Sequence, residues 1–196
     1  MIVIKLGGSL AESGVLVACL NAIERKYADG VVIVPGGGAF ADQVRLAQQH
    51  WRFDDGVAHA MALLAMQQMA LLFKGLKPAF SITGSIAGIQ AQSARQKTVI
   101  WSPDIAELDK AGIEASWDIT SDSLAAWLAA MLSADELILV KSAVIDADLD
   151  IDKLAEQGIV DKAFCGFIAQ APFTVKIINH RSFQCLNTTN RSRAFW

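Results

Sequence analysis

Two lysines in this chain each close an apolar run. Lys5 lies in Ile2-Val3-Ile4-Lys5-Leu6, and Lys141 follows Leu137-Ile138-Leu139-Val140. Gly7-Gly8-Ser9 comes directly after the first run, and Pro35-Gly36-Gly37-Gly38 closes a second run over residues 31–34. Consecutive glycines leave backbone N–H groups unobstructed where a helix begins, which suits a phosphate. The same glycines also serve as tight strand-to-helix turns, so one such loop alone says little. Two loops with a lysine on one strand end favour the phosphate reading. The polar stretch Trp117-Asp118-Ile119-Thr120-Ser121-Asp122-Ser123 adds an acid at a helix start. An acid there complements the helix dipole in any case. Two lysines and Asp122 at one sheet edge would form a phosphoryl-transfer constellation, with cations for the charge and an anion to hold them in place.

Two other nucleotide signatures bear on this. The P-loop pattern is absent. Gly36-Gly37-Gly38-Ala39-Phe40-Ala41 matches the dinucleotide fingerprint, with Asp54 and Asp55 downstream. That fingerprint normally follows the first strand of its unit, and here Lys5-Leu6-Gly7-Gly8-Ser9 holds that place. His59 falls within an apolar helical stretch with Leu63 and Met66 on its face, as a core histidine or as a ligand to an anion. His50 and His180 have no such context.

These residues need a scaffold that brings strand ends together. Runs at 2–6, 31–34, 79–83, 98–101, 137–141 and 174–178 read as strands. Helical spacing covers 15–27, 39–51, 54–73, 103–111, 120–132 and 150–157, with Thr120 or Ser121 capping the fifth of these. The helix over 54–73 is apolar almost all round, which predicts burial on more than one side. Residues 29–30 read as a turn; the polar tail 187–196 has no assignable structure. Buried strands alternating with helices define an α/β fold around a mainly parallel sheet, whose ligands bind beyond the carboxyl ends of the strands.

Composition narrows the function. A chain of 196 residues is expected to form a single domain over 1–196. Only 19% of residues are charged and 53% are hydrophobic, which excludes intrinsic disorder and leaves apolar surface for a homo-oligomeric contact. A net charge of −3 argues against nucleic acid as a partner. No uninterrupted apolar run reaches the roughly 18 residues of a membrane span, so no membrane partner is expected. MIVIKLGGSL carries no basic n-region or cleavage site, and Cys19, Cys165 and Cys185 show no metal spacing. A cytoplasmic location is expected, which makes the sequons at Asn187 and Asn190 empty.

Taken in order, KLGGS, VPGGG and ITSDS resemble the amino acid kinase family across roughly residues 1–141. The resemblance implies a three-layer sandwich with an acceptor side in the N-terminal part and a nucleotide side in the C-terminal part. It implies ATP with Mg²⁺ carried mainly by the nucleotide phosphates, and no dedicated metal ligands. By position, Lys5, Asp122, Lys141 and His59 would be catalytic. Gly7, Gly8, Ser9, Ser121 and Lys141 would hold the nucleotide. Gly36, Gly37, Gly38, His59, Trp117 and Asp118 would hold a small phosphorylated acceptor. VPGGGAFADQVR and SWDITSDSLAAWL are most similar to the methanofuran-biosynthesis branch, which phosphorylates an aminomethyl-furanyl-methyl phosphate. Isopentenyl phosphate as acceptor, or a non-catalytic nucleotide- or oxyanion-binding subunit, are the alternatives. The chain departs from the family after Lys141. There Ser142-Ala143-Val144-Ile145-Asp146 lacks the usual glycine, and a later lysine has no clear equivalent, Lys176 being a poor candidate.

Overall fold

The computed structural model describes residues 1–27, 30–145 and 149–185, with side chains as far as Phe183. Asp29 of the expected turn, Asp146, the Cys185 thiol and the tail 187–196 with its sequons lie outside these residues. Six strands are described: β1 (Ile2–Leu6), β2 (Val32–Pro35), β3 (Ser81–Thr83), β4 (Val99–Trp101), β5 (Glu136–Lys141) and β6 (Thr174–Asn179). They form one sheet in the order β3-β4-β2-β1-β5-β6, and every pairing is parallel. The helices are α1 (Ser9–Glu12), α2 (Leu16–Lys26), α3 (Gly38–Trp51), α4 (Asp55–Leu76), α5 (Ile86–Ser93), α6 (Ile105–Lys110), α7 (Ser121–Met131), α8 (Ile151–Glu156), α9 (Phe164–Ile168) and α10 (His180–Cys185). Sequence periodicity finds the long ones. It misses α1, α5, α9 and α10, whose short sequences show no clear apolar stripe.

Strand alternation sorts the core into two layers. Val3, Val32, Val34, Val99, Trp101, Leu137 and Leu139 face one side, packed on α5 to α9. Ile4, Leu6, Ile33, Ile100, Ile138 and Val140 face the other, packed on α1, α2 and α10. The result is the expected three-layer sandwich with a parallel central sheet. The parity has a chemical consequence. Lys5 shares the side of Val3, and Lys141 the side of Leu137 and Leu139, so both lysines point toward α7. Register places Lys5 opposite Leu139 on the adjacent strand, which sets the two ammonium groups close together at the carboxyl edge.

The long helix is buried on more than one side, as expected, but one face remains exposed. α4 buries Ala58, Leu63, Ala65, Met66, Met69, Ala70 and Phe73, yet Val57, Leu64, Leu71, Leu72 and Leu76 are exposed. It is also long and apolar enough, by length and composition, to cross a membrane, an outcome that counting uninterrupted apolar residues does not flag. Its buried residues belong to both core layers.

The two glycine loops pack directly on each other. A Cβ on Gly8 would lie 2.2 Å from the Gly38 nitrogen, and one on Gly36 would lie 2.6 Å from the Gly8 nitrogen. Of these loop glycines only Gly38 has a positive φ, +54°. Close backbone approach, more than left-handed geometry, therefore demands glycine at positions 8 and 36. Gly8→Ala is expected to cost about 1–3 kcal/mol through backbone displacement. Gly75→Ala, in α4 with nothing within 4 Å of the added carbon, is expected to stabilise by about 0.5–1 kcal/mol. Urea denaturation of the two variants checks the contrast. A Gly8→Ala protein as stable as wild type would refute the packing argument.

Candidate active site

Lys5 and Asp122 are almost fully buried, at 4% and 3% exposure, and Lys141 is nearly so. Asp122 lies in the first turn of α7, which covers the ends of β1 and β5. Its Oδ1 is 2.7 Å from Lys5 Nζ, and its Oδ2 accepts a hydrogen bond from Lys141 Nζ at 2.5 Å. One carboxylate thus bridges two ammonium groups, and the cluster carries a net single positive charge. Burial alone would raise the Asp122 carboxyl, but attraction to Lys5 and Lys141 outweighs it and holds the group below the usual carboxylate range. Burial, then repulsion from Lys5, pushes the Lys141 ammonium down to about 8, against the pull of Asp122 and Asp161. The cluster is short of negative charge, as a site for a polyanion should be.

Beside the cluster lies a cavity of about 260 Å³. Gly8, Ser9, Gly36, Gly37 and Gly38 form one end, with Ser121 and Thr120. Ala62, Leu63, Met66, Ile119, Leu124 and Trp117 supply apolar wall; Glu12, Asp42, Arg45, Asp55 and His59 supply charge or polarity. The backbone accounting corrects two expected contacts. The Gly7 amide donates to the Val140 carbonyl at 3.0 Å, and the Gly36 amide to the Leu6 carbonyl at 2.9 Å. Both amides tie strand ends together, which leaves Gly8, Ser9, Gly37 and Gly38 for an anion; the first amides of α1 and α3 have no partner inside their helices. Ser9 Oγ lies 2.8 Å from Ser142 Oγ, linking the first glycine loop to the segment after β5.

Trp117 is held as a wall. Its Nε1–H donates to Gln48 Oε1 at 2.6 Å, and the Arg45 guanidinium sits 4.2 Å from its ring centre. Gln48 in turn donates to Asp55 Oδ1 at 2.8 Å, and Arg45 pairs with Asp42 at 3.0 Å. Asp118, expected at the acceptor, lies outside this cavity. It pairs with Lys162 at 3.1 Å on an exposed surface, because the turn before α7 directs successive side chains to opposite sides. His59 does line the cavity and is half-buried. Burial pushes its ring below the ordinary histidine range, while Asp109 and a hydrogen bond with the Ser116 backbone pull the other way. Lys176 pairs with Glu136 near the opposite edge of the sheet, far along the strands from Lys141.

The expected cap of α7 is also corrected. Neither Thr120 nor Ser121 caps the helix with its side chain. Asp161, from the loop after α8, accepts from the backbone N–H of Thr120 at 2.8 Å and of Ser123 at 3.2 Å. Sequence reasoning misses Asp161 because the bond spans about forty residues of chain, and no local pattern encodes it.

A parallel sheet whose carboxyl edge carries two glycine loops and a buried lysine–aspartate–lysine cluster defines a class: α/β proteins built to handle phosphoryl groups. The sequence profile of the amino acid kinase family matches residues 1–157, and the chain belongs to that family. It is 28% identical over 142 residues to the [5-(aminomethyl)furan-3-yl]methyl phosphate kinase of Methanocaldococcus jannaschii; the match spans 71% of this chain and 64% of that enzyme. Among solved structures, the uridylate kinase of Archaeoglobus fulgidus superposes with a TM-score of 0.69 at 17% identity, covering 93% of each chain. The aspartate kinase of Synechocystis superposes with a TM-score of 0.67 at 16% identity, covering 92% of this chain and 38% of that one. These structural likenesses establish the shared fold.

The Lys141 ammonium is less basic folded than unfolded, so the unfolded chain binds more protons between pH 8 and about 10.5. Its contribution to stability therefore rises with pH across that window. Urea denaturation should show this rise in wild type relative to Lys141→Met, whose difference curve isolates the one group. Asp122→Asn should cost about 3–5 kcal/mol, since it leaves two buried ammonium groups without their anion. A flat difference curve would mean that Lys141 is solvated in the folded protein.

Proposed function

We propose that this protein is an ATP-dependent kinase that phosphorylates a small phosphomonoester to a diphosphate, with [5-(aminomethyl)furan-3-yl]methyl phosphate as its acceptor. The observation that carries the proposal is the Lys5–Asp122–Lys141 cluster beside a half-open cavity lined by the glycine loops. In this reading Lys5, Lys141 and the amides of Gly8 and Ser9 hold the nucleotide phosphates, with Ser121 nearby. Gly37, Gly38 and His59 hold the acceptor phosphate. An acceptor phosphate oxygen attacks the γ-phosphorus in line, the bond to the bridging oxygen breaks, and ADP leaves. The lysines stabilise the charge on the transferring γ-phosphoryl oxygens and the charge that builds on the β-phosphate as ADP leaves, and Asp122 keeps them from separating. Mg²⁺, bound to the nucleotide phosphates, would neutralise further charge. Among the described residues no group of three His, Cys, Asp or Glu side chains could hold it alone.

The acceptor's chemistry suits the cavity at both ends. The flat ring meets Trp117 and Met66, and the aminomethyl cation meets the carboxylates of Asp55 or Glu12. Isopentenyl phosphate carries no cation to match those acids, which favours the furan. A cytoplasmic setting, where ATP is at hand, goes with this reading.

Purified protein with MgATP is to be assayed against the furan phosphate, isopentenyl phosphate, UMP and aspartate. The furan phosphate is expected to give the highest kcat/KM. Lys5→Ala should lower kcat by a factor on the order of 10²–10³. His59→Asn should lower kcat/KM for the acceptor and leave ATP affinity unchanged. Burial holds the free ring below the ordinary histidine range and a bound phosphate favours its protonated form, so acceptor binding should strengthen as pH falls. Nucleotide binding without turnover of any acceptor would instead identify a non-catalytic subunit.

The exposed apolar face of α4 fits a homo-oligomer. Val57, Leu64 and Leu71 recur every seven residues, the spacing of a helix–helix seam. Sedimentation is expected to show a dimer or higher state that Leu64→Glu with Leu71→Glu converts to monomer. A monomeric wild type would end this part of the proposal.

A further inference from the structure

The carboxylate of Asp161 is the most heavily bonded acid among the described residues. Its Oδ2 accepts from the Thr120 N–H at 2.8 Å, the Thr120 Oγ1–H at 2.7 Å and the Ser123 N–H at 3.2 Å. Its Oδ1 accepts from the Ser123 hydroxyl at 2.6 Å. Ser123 is fully buried, so its hydroxyl depends on this partner. Around it, the Ala163 N–H donates to the Asp118 carbonyl at 3.0 Å, and Phe164 locks the following helix into the core beneath α7. Thr120 could have capped α7 by itself; its hydroxyl is spent on Asp161 instead. The residues pinned in this way flank Asp122 on both sides.

We propose that Asp161 is a positioning residue for phosphoryl transfer: bonded to Thr120 and Ser123, it sets the rotation of the first turn of α7 and so the direction in which Asp122 meets Lys5 and Lys141. The proposal rests on the kinase reading for its effect on turnover, but not for its effect on the cluster. A local cap would fix only the helix end. A cap from the loop between α8 and α9 couples that end to a separate part of the chain. The full negative charge of Asp161 also acts on the cluster, since the charged groups bearing on Lys141 are Lys5 on β1, Asp122 on α7 and Asp161 itself. Each of the two acids favours the Lys141 ammonium, and Lys5 opposes it.

The test compares Asp161→Asn with Asp150→Asn. Asp150 caps α8 through the Lys153 N–H at 2.9 Å, so its loss removes a helix cap of the same kind away from the cluster. In uniformly ¹³C-labelled protein, the Lys141 Cε resonance is followed through pH 6–11. Asp161→Asn is expected to move its midpoint to lower pH, and to lower kcat for MgATP and the furan phosphate by a factor on the order of 10–100. Asp150→Asn is expected to lower the Tm and leave both readouts in place. If Asp161→Asn lowers the Tm alone, with the Lys141 midpoint unmoved, Asp161 is a structural cap and the proposal is overturned. Should Asp161→Asn fail to fold, Ser123→Ala frees Oδ1 while keeping the charge and the backbone bonds. It should then reduce kcat by about threefold to tenfold, and an unchanged kcat overturns the proposal. If wild type turns over no acceptor, the kinase reading fails, and the Lys141 midpoint in Ser123→Ala, which keeps the Asp161 charge, decides the role of Asp161: a shift supports positioning and an unmoved midpoint overturns it.

Discussion

Two ammonium groups brought to one dry sheet edge repel each other, and one carboxylate answers both. The structure around Asp122 follows from that constraint. The parity of β1 and β5 delivers Lys5 and Lys141 to the same face. α7 lies across that face with its N-terminal turn at the strand ends, and the bridging acid projects from that turn. Removing a charge from such a cluster costs more than the net worth of its pairs, because the remaining charges stay buried. The cluster itself, two lysines and one aspartate, keeps one positive charge in excess, which in the proposed function would meet a polyphosphate.

The glycine loops answer a second constraint. They pack backbone against backbone, and two of their amides hold strand ends instead of a ligand. The set of amides left for the proposed anion is therefore smaller than the glycine count implies. It is made of the first amides of two helices that start side by side, where dipoles and unpaired donors coincide. Rigidity and recognition come from the same residues, so the loops need no further support to stay open toward the cavity. The cavity's outer wall is built differently, from a side-chain chain in which Asp55 orients Gln48 and Gln48 orients Trp117. Arg45 covers part of the Trp117 ring and is itself held by Asp42.

Much of this was legible in the residues. Apolar runs ending in Lys5 and Lys141 placed both at the carboxyl edge, since a buried strand can end in a charge only where the sheet meets a ligand or solvent. The long helices and the parallel α/β class followed from periodicity. Four short helices, α1, α5, α9 and α10, did not, because none displays a clear apolar stripe. The exposed face of α4 was not legible for a related reason: composition gives the hydrophobicity of a face, but not whether this chain covers it.

The sequence by itself determined the strands, the two lysines at their ends, the glycine loops and the acid at a helix start, since each depends on neighbours within a few residues. Only the tertiary structure decided which of these act together. It turned Asp118 outward and Asp122 inward, although they are four residues apart, because the turn before α7 and the helix direct them oppositely. It committed the Gly7 and Gly36 amides to neighbouring strands and left Gly8 and Gly37 for a ligand. It brought Asp161 across about forty residues to cap a helix that had serine and threonine of its own. Hydrogen bonds and ion pairs form between groups adjacent in space, and spatial adjacency across a parallel sheet is set by strand order and register, which no short stretch of sequence contains.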